Sequence, residues 1–267
     1  MAIELDLHMP RNAFTPRDAA RAGDVWRTCQ DVAVLGASAL GWDPVRFRDH
    51  GAAFVVREMT TVHHGEARYG DVVRGRTWIS DFRRGLLTRR QIRLSVGGAP
   101  LASATQEWAH VSTKEGVMRA SRASAELVAD FPVEEPDDSV QLPEFEAAPG
   151  PEHVFRFELW HTWMDPLAHA NHPAYVDWSE EALARLLSAA GGDPVQVQPV
   201  AERARWRVGA SAPDTVSVTT QALGRTAAGD VVCRHQIAAD KTGHAATVTT
   251  VRRLLGGESD LLWRALL

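Results

Sequence analysis

A seven-residue stretch occurs twice in this chain, 150 positions apart. Ser38-Ala39-Leu40-Gly41-Trp42-Asp43-Pro44 returns as Ser188-Ala189-Ala190-Gly191-Gly192-Asp193-Pro194. Both copies close a helical pattern. Before the first, Val25, Cys29, Val32, Gly36 and Leu40 recur on one face; before the second, Tyr175, Ala182, Leu186 and Ala190 do. Gly41 and Gly191 supply the left-handed residue that ends a helix, and Pro44 and Pro194 prevent its resumption. A short match at a helix end can arise by chance, but agreement of the preceding period argues for a duplicated unit.

After each helix the apolar period changes from 3.6 to 2. Strands are expected at 72–80, 88–96 and 101–112, and again at 215–223, 231–239 and 245–254. Gly97-Gly98 and Gly229-Asp230 mark turns between neighbouring strands. Each unit is therefore α+β, a long helix wrapped by a curved antiparallel sheet, and two such sheets are expected side by side. Between the units, residues 131–151 hold five prolines and six acidic residues with no basic one. That composition buries little and resists regular structure, so it is read as a linker. The expected division is 1–130, linker 131–151, and 152–267.

Several functions drop out. A net charge of −5 argues against bulk nucleic-acid binding, and no apolar run is long enough to span a membrane. Residues 1–10 show no secretory leader. The two cysteines, Cys29 and Cys233, lie far apart, so neither a disulfide framework nor a thiolate metal site is expected, and a reducing, cytoplasmic setting fits. No cofactor motif occurs: there is no phosphate-binding loop and no dinucleotide glycine pattern. Gly36-Ala37-Ser38-Ala39-Leu40 fails at its last position as a nucleophile elbow. His63 and His64 point to opposite faces of a strand and cannot easily share a metal. Cys233 and His235 share a strand face, where core packing is the simpler reading.

One stretch combines an acid, an imidazole and a helix start: Asp165-Pro166-Leu167-Ala168-His169-Ala170-Asn171-His172-Pro173-Ala174-Tyr175. Asn171 suits an N-cap and Pro173 the first helical turn. Side chains just upstream gather at a helix N-terminus, where backbone N–H groups and the dipole favour developing negative charge. An Asp and a His there can orient and deprotonate water. The same residues also serve a bare helix cap, and spacing alone does not separate the two.

At these residues the sequence resembles the hotdog thioesterases, whose loop runs Asp, a few residues, His-x-Asn, then Tyr in the helix. It looks closest to the acyl-acyl-carrier-protein thioesterases of the plant plastid type and their bacterial relatives, which are tandem (double) hotdogs. Leu40-Gly41, Gly70-Asp71-Val72-Val73, Thr77-Trp78-Ile79-Ser80, Arg89-Arg90 and the run 103–111 with Trp108 follow the order of that family's first unit. The likeness is clearest over 25–121 and 155–190. It implies hydrolysis of fatty-acyl thioesters to free fatty acid, with Asp165, His169 and Asn171 as catalytic positions and Tyr175 near substrate. Two positions depart from the family. Leu167 stands where the family has Asn, and 205–211 offers no acid where the family places a strand carboxylate. Glu66, at the comparable place in the first half, is a candidate substitute. Ala19 lies where His169 falls by the 150-residue shift, so the first half is expected to shape an acyl tunnel, with Trp26, Cys29, Trp42 and Trp178 as candidate linings.

Eight arginines between 68 and 93, against Asp71 and Asp81, suit an acidic carrier protein or the phosphates of coenzyme A; Arg83 and Arg84 are the docking candidates. Local pairing of these arginines on a solvated sheet face is the competing reading. The expected partner is an acyl carrier protein or a coenzyme A thioester, and the protein is expected to be a monomer or homodimer. Alternatives are an acyl-coenzyme A thioesterase, a hotdog hydratase or dehydratase, and a non-catalytic acyl-thioester binder. The hydratase pattern Gly-Asp-x-Asn-Pro-Leu-His puts its His five residues after the Asp, against four here.

Overall fold

The computed structural model describes residues 2–114, 118–256 and 260–267. The chain divides into two compact units, one formed by Met1–Ala13 with Val25–Gln141, the other by Phe14–Asp24 with Leu142–Leu267.

In the first unit, strands β1 (Ile3–His8), β2 (Ala52–His63), β3 (Val72–Arg83), β4 (Leu87–Val96) and β5 (Ala99–Ser112) pair antiparallel in the order β1-β3-β4-β5-β2. A short β6 (Arg119–Ala120) adds to β5. The β4–β5 turn uses Gly97 and Gly98, both at positive φ. Helix α1 (Ala22–Ala39) buries Val25, Cys29, Val32 and Gly36, the face that the periodicity selects. It lies close on β3, since a Cβ at Gly75 would stand 2.2 Å from Val32 Cγ2, and one at Gly36 would stand 2.5 Å from Thr77 Cγ2. Beyond the helix, α2 (Pro44–Asp49) is capped by the Asp43 side chain accepting from Arg46 N–H. Together with α3 (Ala125–Asp130) it closes a core of Ala37, Trp42, Ile79, Leu127 and Phe131.

The second unit repeats the plan. Strands β8 (Glu152–Glu158), β9 (Val197–Trp206), β10 (Thr215–Thr226), β11 (Val231–Ala239) and β12 (Gly243–Leu254) pair antiparallel in the order β9-β12-β11-β10, with β8 and the short β7 (Phe145–Ala147) on β10. Helix α4 (Ala174–Ala189) crosses this sheet, and α5 (Leu261–Arg264) covers its end. Leu183 and Leu187 of α4 pack with Ala222, Val231, Cys233, Leu262 and Leu266. The buried face therefore runs through Tyr175, Ala182, Leu183 and Leu187. Ala190, assigned to that face by periodicity, is exposed, because the helix has already ended at Ala189.

The repeat extends to backbone detail. Gly41 and Gly191 both have φ +82°. Trp42 N–H reaches Ala37 O at 3.0 Å, as Gly192 N–H reaches Leu187 O at 2.9 Å. The acidic stretch 131–151 is tied down in several places. Glu134 N–H donates to Ile79 O, and Asp137 and Asp138 pair with Arg93. Phe145–Ala147 forms a strand, which the proline content did not forecast. The missing side chain of Gly224 lets the two backbones pair, since a Cβ there would stand 1.9 Å from Glu146 O.

Candidate active site

The segment before α4 is a compact loop closed at its base by a bridge between Met164 and Ala170. Asp165 N–H donates to His169 O at 2.9 Å, and Ala168 N–H donates to Asp165 O at 2.9 Å. This reversal puts Ala168 at φ +60°, an uncommon conformation for a residue with a Cβ. The loop is held on its far side by the connection from β9 to β10. Ala170 N–H donates to Ala210 O at 2.8 Å, and Ser211 Oγ donates to Ala168 O at 2.9 Å. Tyr175 Oη accepts from Ala210 N–H at 2.9 Å.

The two polar side chains of the loop face each other. Asp165 Oδ1 accepts from Leu167 N–H at 2.8 Å, which fixes the carboxylate and leaves Oδ2 towards the ring of His169. The Oδ2 to Nε2 separation is 3.7 Å, too long for a direct hydrogen bond and too short for an oxygen in line between them, so a water reaches both atoms only from one side. His169 Nδ1 lies 3.3 Å from Leu167 O. A carbonyl accepts only, so this contact favours the proton on Nδ1 and leaves the Nε2 lone pair towards the carboxylate side. Both side chains are partly open, at 17% for Asp165 and 23% for His169. A base that must meet both water and substrate needs that access.

Leu167, where the resemblance leads one to expect Asn, engages Asp165 through its backbone N–H instead of a side-chain amide. Asn171 is not the side-chain cap that spacing implied. The residue before the helix is Pro173, with no side-chain cap. Asn171 instead acts through its main chain: its carbonyl accepts from Ala174 N–H at 2.9 Å, and its N–H donates to Trp163 O at 3.2 Å. The first-turn N–H groups of Ala174, Tyr175 and Val176 point back to Asn171, His172 and Pro173 carbonyls. The expected row of open donors is thus partly filled by these tight turns. Tyr175 is 1% exposed and sits behind the loop, beside Trp178 at 4.6 Å between ring centroids. Burial pushes its hydroxyl up to about 12.

The strand after α4 is β9, so the window 205–211 covers its end and the following connection. β9 does carry an acid, Glu202, which is fully buried and paired with Arg252 Nη1 at 2.5 Å. Glu66, Arg83 and Arg84 lie in the first unit. Glu66 belongs to the connection before β3, whereas Arg83 ends β3 and Arg84 follows it at φ +54°. A 12-residue strand spans roughly 35 Å, so Glu66 and the two arginines do not serve one small group. Arg83 pairs with Asp81 at 2.9 Å and Glu107 at 3.4 Å. Arg74 pairs with Asp6, and Arg76 and Arg93 with Asp137. Local pairing thus accounts for much of the arginine-rich stretch. Trp26, Cys29 and Trp42 are fully buried core residues.

Periodicity and motif reading missed the 209–212 clamp. Gly209 is the tightest part of it, since a Cβ there would stand 2.8 Å from His169 Cβ and 2.9 Å from Cγ. The run Gly209-Ala210-Ser211 of small residues was the available signal. Among the described residues, no group of three His, Cys, Asp or Glu is placed to hold a metal ion, and no helix is long and apolar enough to cross a membrane.

No family model matches the chain, and no curated protein sequence matches it either. Solved structures do. A putative oleoyl thioesterase from Lactobacillus plantarum superposes with a TM-score of 0.79 at 19% identity, covering 96% of this chain and 98% of that one. An acyl-ACP thioesterase from Bacteroides thetaiotaomicron gives 0.73 at 11% identity over 94% and 98%, respectively. The 12:0-ACP thioesterase from Umbellularia californica gives 0.74 at 15% identity over 95% and 94%. The chain has the tandem hotdog fold. Because the overlap spans nearly the full length of each, both units of this chain have counterparts in those three structures.

Proposed function

We propose that this protein is an acyl thioesterase that hydrolyses fatty-acyl thioesters, with acyl-acyl carrier protein as the preferred donor and acyl-coenzyme A as the alternative. The observation that carries this reading is the 3.7 Å gap between Asp165 Oδ2 and His169 Nε2 in a loop clamped from both sides. A water held beside the two, touching both, loses a proton to this pair as its oxygen attacks the thioester carbonyl. The new C–O bond forms, the C–S bond breaks, and the proton returns to the departing thiolate. The positive end of α4 lies next to the loop and favours the negative charge that builds on the carbonyl oxygen. Attack by Asp165 itself, giving a mixed anhydride, is the competing version. Tyr175 and Asn171 act as positioning residues, one by holding Ala210 and the other by starting the turn into α4.

Support for the substrate class comes from the fold shared with thioesterases over the full chain. A reducing, cytoplasmic setting accords with two free, buried thiols, Cys29 and Cys233. The test is a hydrolysis panel of acyl chains on carrier protein and on coenzyme A, comparing wild type with Asp165→Asn and His169→Ala. Turnover is expected to fall at least about 100-fold in both variants with folding unchanged. Full turnover by Asp165→Asn would remove both versions of the mechanism. Tight acyl-thioester binding with no turnover by the wild type would favour the non-catalytic binder instead.

A further inference from the structure

The loop that carries Asp165 and His169 has a twin 150 positions earlier, and the twin faces a cavity. Phe14 bridges Ala20 as Met164 bridges Ala170. Thr15 N–H donates to Ala19 O at 2.9 Å and Asp18 N–H to Thr15 O at 2.9 Å, reproducing the bonds of Asp165 and Ala168. Asp18 has φ +57° where Ala168 has +60°. The backbone has been kept while the chemistry has been lost: Thr15 stands for Asp165 and Ala19 for His169. This segment, Phe14–Asp24, belongs to the second unit.

Within that unit Thr15, Arg17, Ala20, Arg21 and Ala22 line one side of a cavity of about 550 Å³. Aromatic rings form much of the other wall (Phe155, Phe157, Trp160, Trp163 and Trp178), with charged side chains such as Glu158 and Asp177 between them. The aromatic rings pack on one another, with Trp160 stacked on Trp163 at 5.1 Å and Phe157 against Trp178 at 5.3 Å. None of Asp165, Leu167, His169 or Asn171 lines this space. Several charges at the cavity are neutralised locally: Arg252 lies between Glu202 and Glu180, and Arg185 pairs with Glu181. Such a lining favours an apolar chain over a polyphosphate.

Two polar atoms of the wall are buried without a hydrogen-bond partner among the described residues, Thr15 Oγ1 and the indole Nε1 of Trp178. Trp178 is only 3% exposed. Both atoms are closed off from solvent beneath the wall, so recognition of an occupant falls to the apolar surface that the aromatic rings present. We propose that this cavity is a second, non-hydrolysing acyl site, which holds the hydrocarbon chain of a fatty acyl group against the aromatic wall. Lacking an acid and an imidazole at positions 15 and 19, the site binds without cleaving. The inference does not rest on hydrolysis at Asp165.

The test is photolabelling of the intact protein with a diazirine-bearing laurate, followed by mapping of the labelled peptides. Label is expected in 155–163 and 177–185. Ala184→Trp, which fills the cavity from α4, is expected to abolish that label while leaving thioester turnover within about twofold. Label confined to other peptides, or unchanged in Ala184→Trp, overturns the proposal. If that variant does not fold, Val197→Phe, which narrows the same cavity from β9, decides, with an expected tenfold loss of laurate affinity; unchanged affinity overturns the proposal. Displacement by free laurate or by the lauroyl amide of pantetheine supports the site and tells free acid from carrier-bound acyl group. Displacement by neither overturns it. Turnover is read separately: label without turnover removes the hydrolase reading alone, and turnover without label removes this one alone.

Discussion

Gly209 determines where the ring of His169 can lie. A methyl group at that position would come within 3.1 Å of His169 Cβ, Cγ and Cδ2, so Gly209→Ala must turn the imidazole or push the loop outward. The expected outcome is a fall in kcat of tenfold or more with stability nearly unchanged, because the neighbouring loop is partly open and can yield. Equal kcat in the two proteins would show that the Asp165–His169 geometry is not limiting. A different histidine governs acid stability. His235 is fully buried between Thr220 Oγ1 at 2.9 Å and Thr250 Oγ1 at 3.0 Å, and burial with the nearby Arg252 pushes its pKa down to about 3. Between about 3 and 6.5 the unfolded chain holds a proton that the folded chain does not. Its contribution to stability is therefore full above 6.5 and is lost as the pH falls, by up to about 1.4 kcal/mol per pH unit. Urea unfolding of His235→Gln between pH 4 and 7 is expected to give a flatter pH dependence than wild type; identical slopes would refute the assignment. At this scale the candidate site was half legible. Asp165 and His169 stand in a recognisable local pattern, whereas Gly209 and Ala210 matter through packing across some 40 positions, which no local period records.

The helix ends show how far local chemistry carries. Gly41 and Gly191 sit at the same left-handed conformation, and a Cβ at Gly191 meets nothing within 4 Å. Its requirement is thus conformational, and Gly191→Ala is expected to cost about 1 kcal/mol by urea unfolding. Gly41→Ala should cost at least as much, since its Cβ would also approach Arg46 Nη1 at 3.3 Å. A cost near zero at both positions would sever the link between the repeated motif and helix termination. The same locality explains which elements were legible. β3, β4, β5, β10, β11 and β12 start and stop within a few residues of the expected runs, because alternation and turn glycines are written in adjacent positions. β1 and β8 alternate as cleanly, with Ile3, Leu5 and Leu7 partly buried between exposed neighbours, yet each is too short to stand out before its partner strand is known. β9 was displaced because its run includes Pro199 and Glu202, residues that propensity counts against a strand. Glu202 is tolerated there by its pairing with Arg252, a contact 50 positions away.

At the scale of the molecule, the proposed thioesterase reading makes the surface that would meet a carrier testable. The arginine-rich stretch of the first unit is less available than its composition implied, since Arg74, Arg76, Arg83 and Arg93 all have acidic neighbours. Arg90 is buried, hydrogen-bonded to Thr77 Oγ1, and lowered by burial to about 10. Arg84 and Arg89 remain exposed at the turn and on β4, and the ion pairs of Arg83 are solvent-facing ones that contribute little to stability. Charge reversal at Arg83 and Arg84 should therefore leave the fold intact and read docking alone. If an acidic carrier approaches this end of β3, the double variant raises KM for the carrier-protein thioester severalfold and leaves KM for a short pantetheine thioester unchanged. The difference should shrink as salt is raised, because exposed charges are screened beyond about 8 Å at physiological ionic strength. Equal changes for both substrates, or a gap insensitive to salt, would move the docking surface away from this turn. The first unit would then contribute through its packed core rather than through its charge.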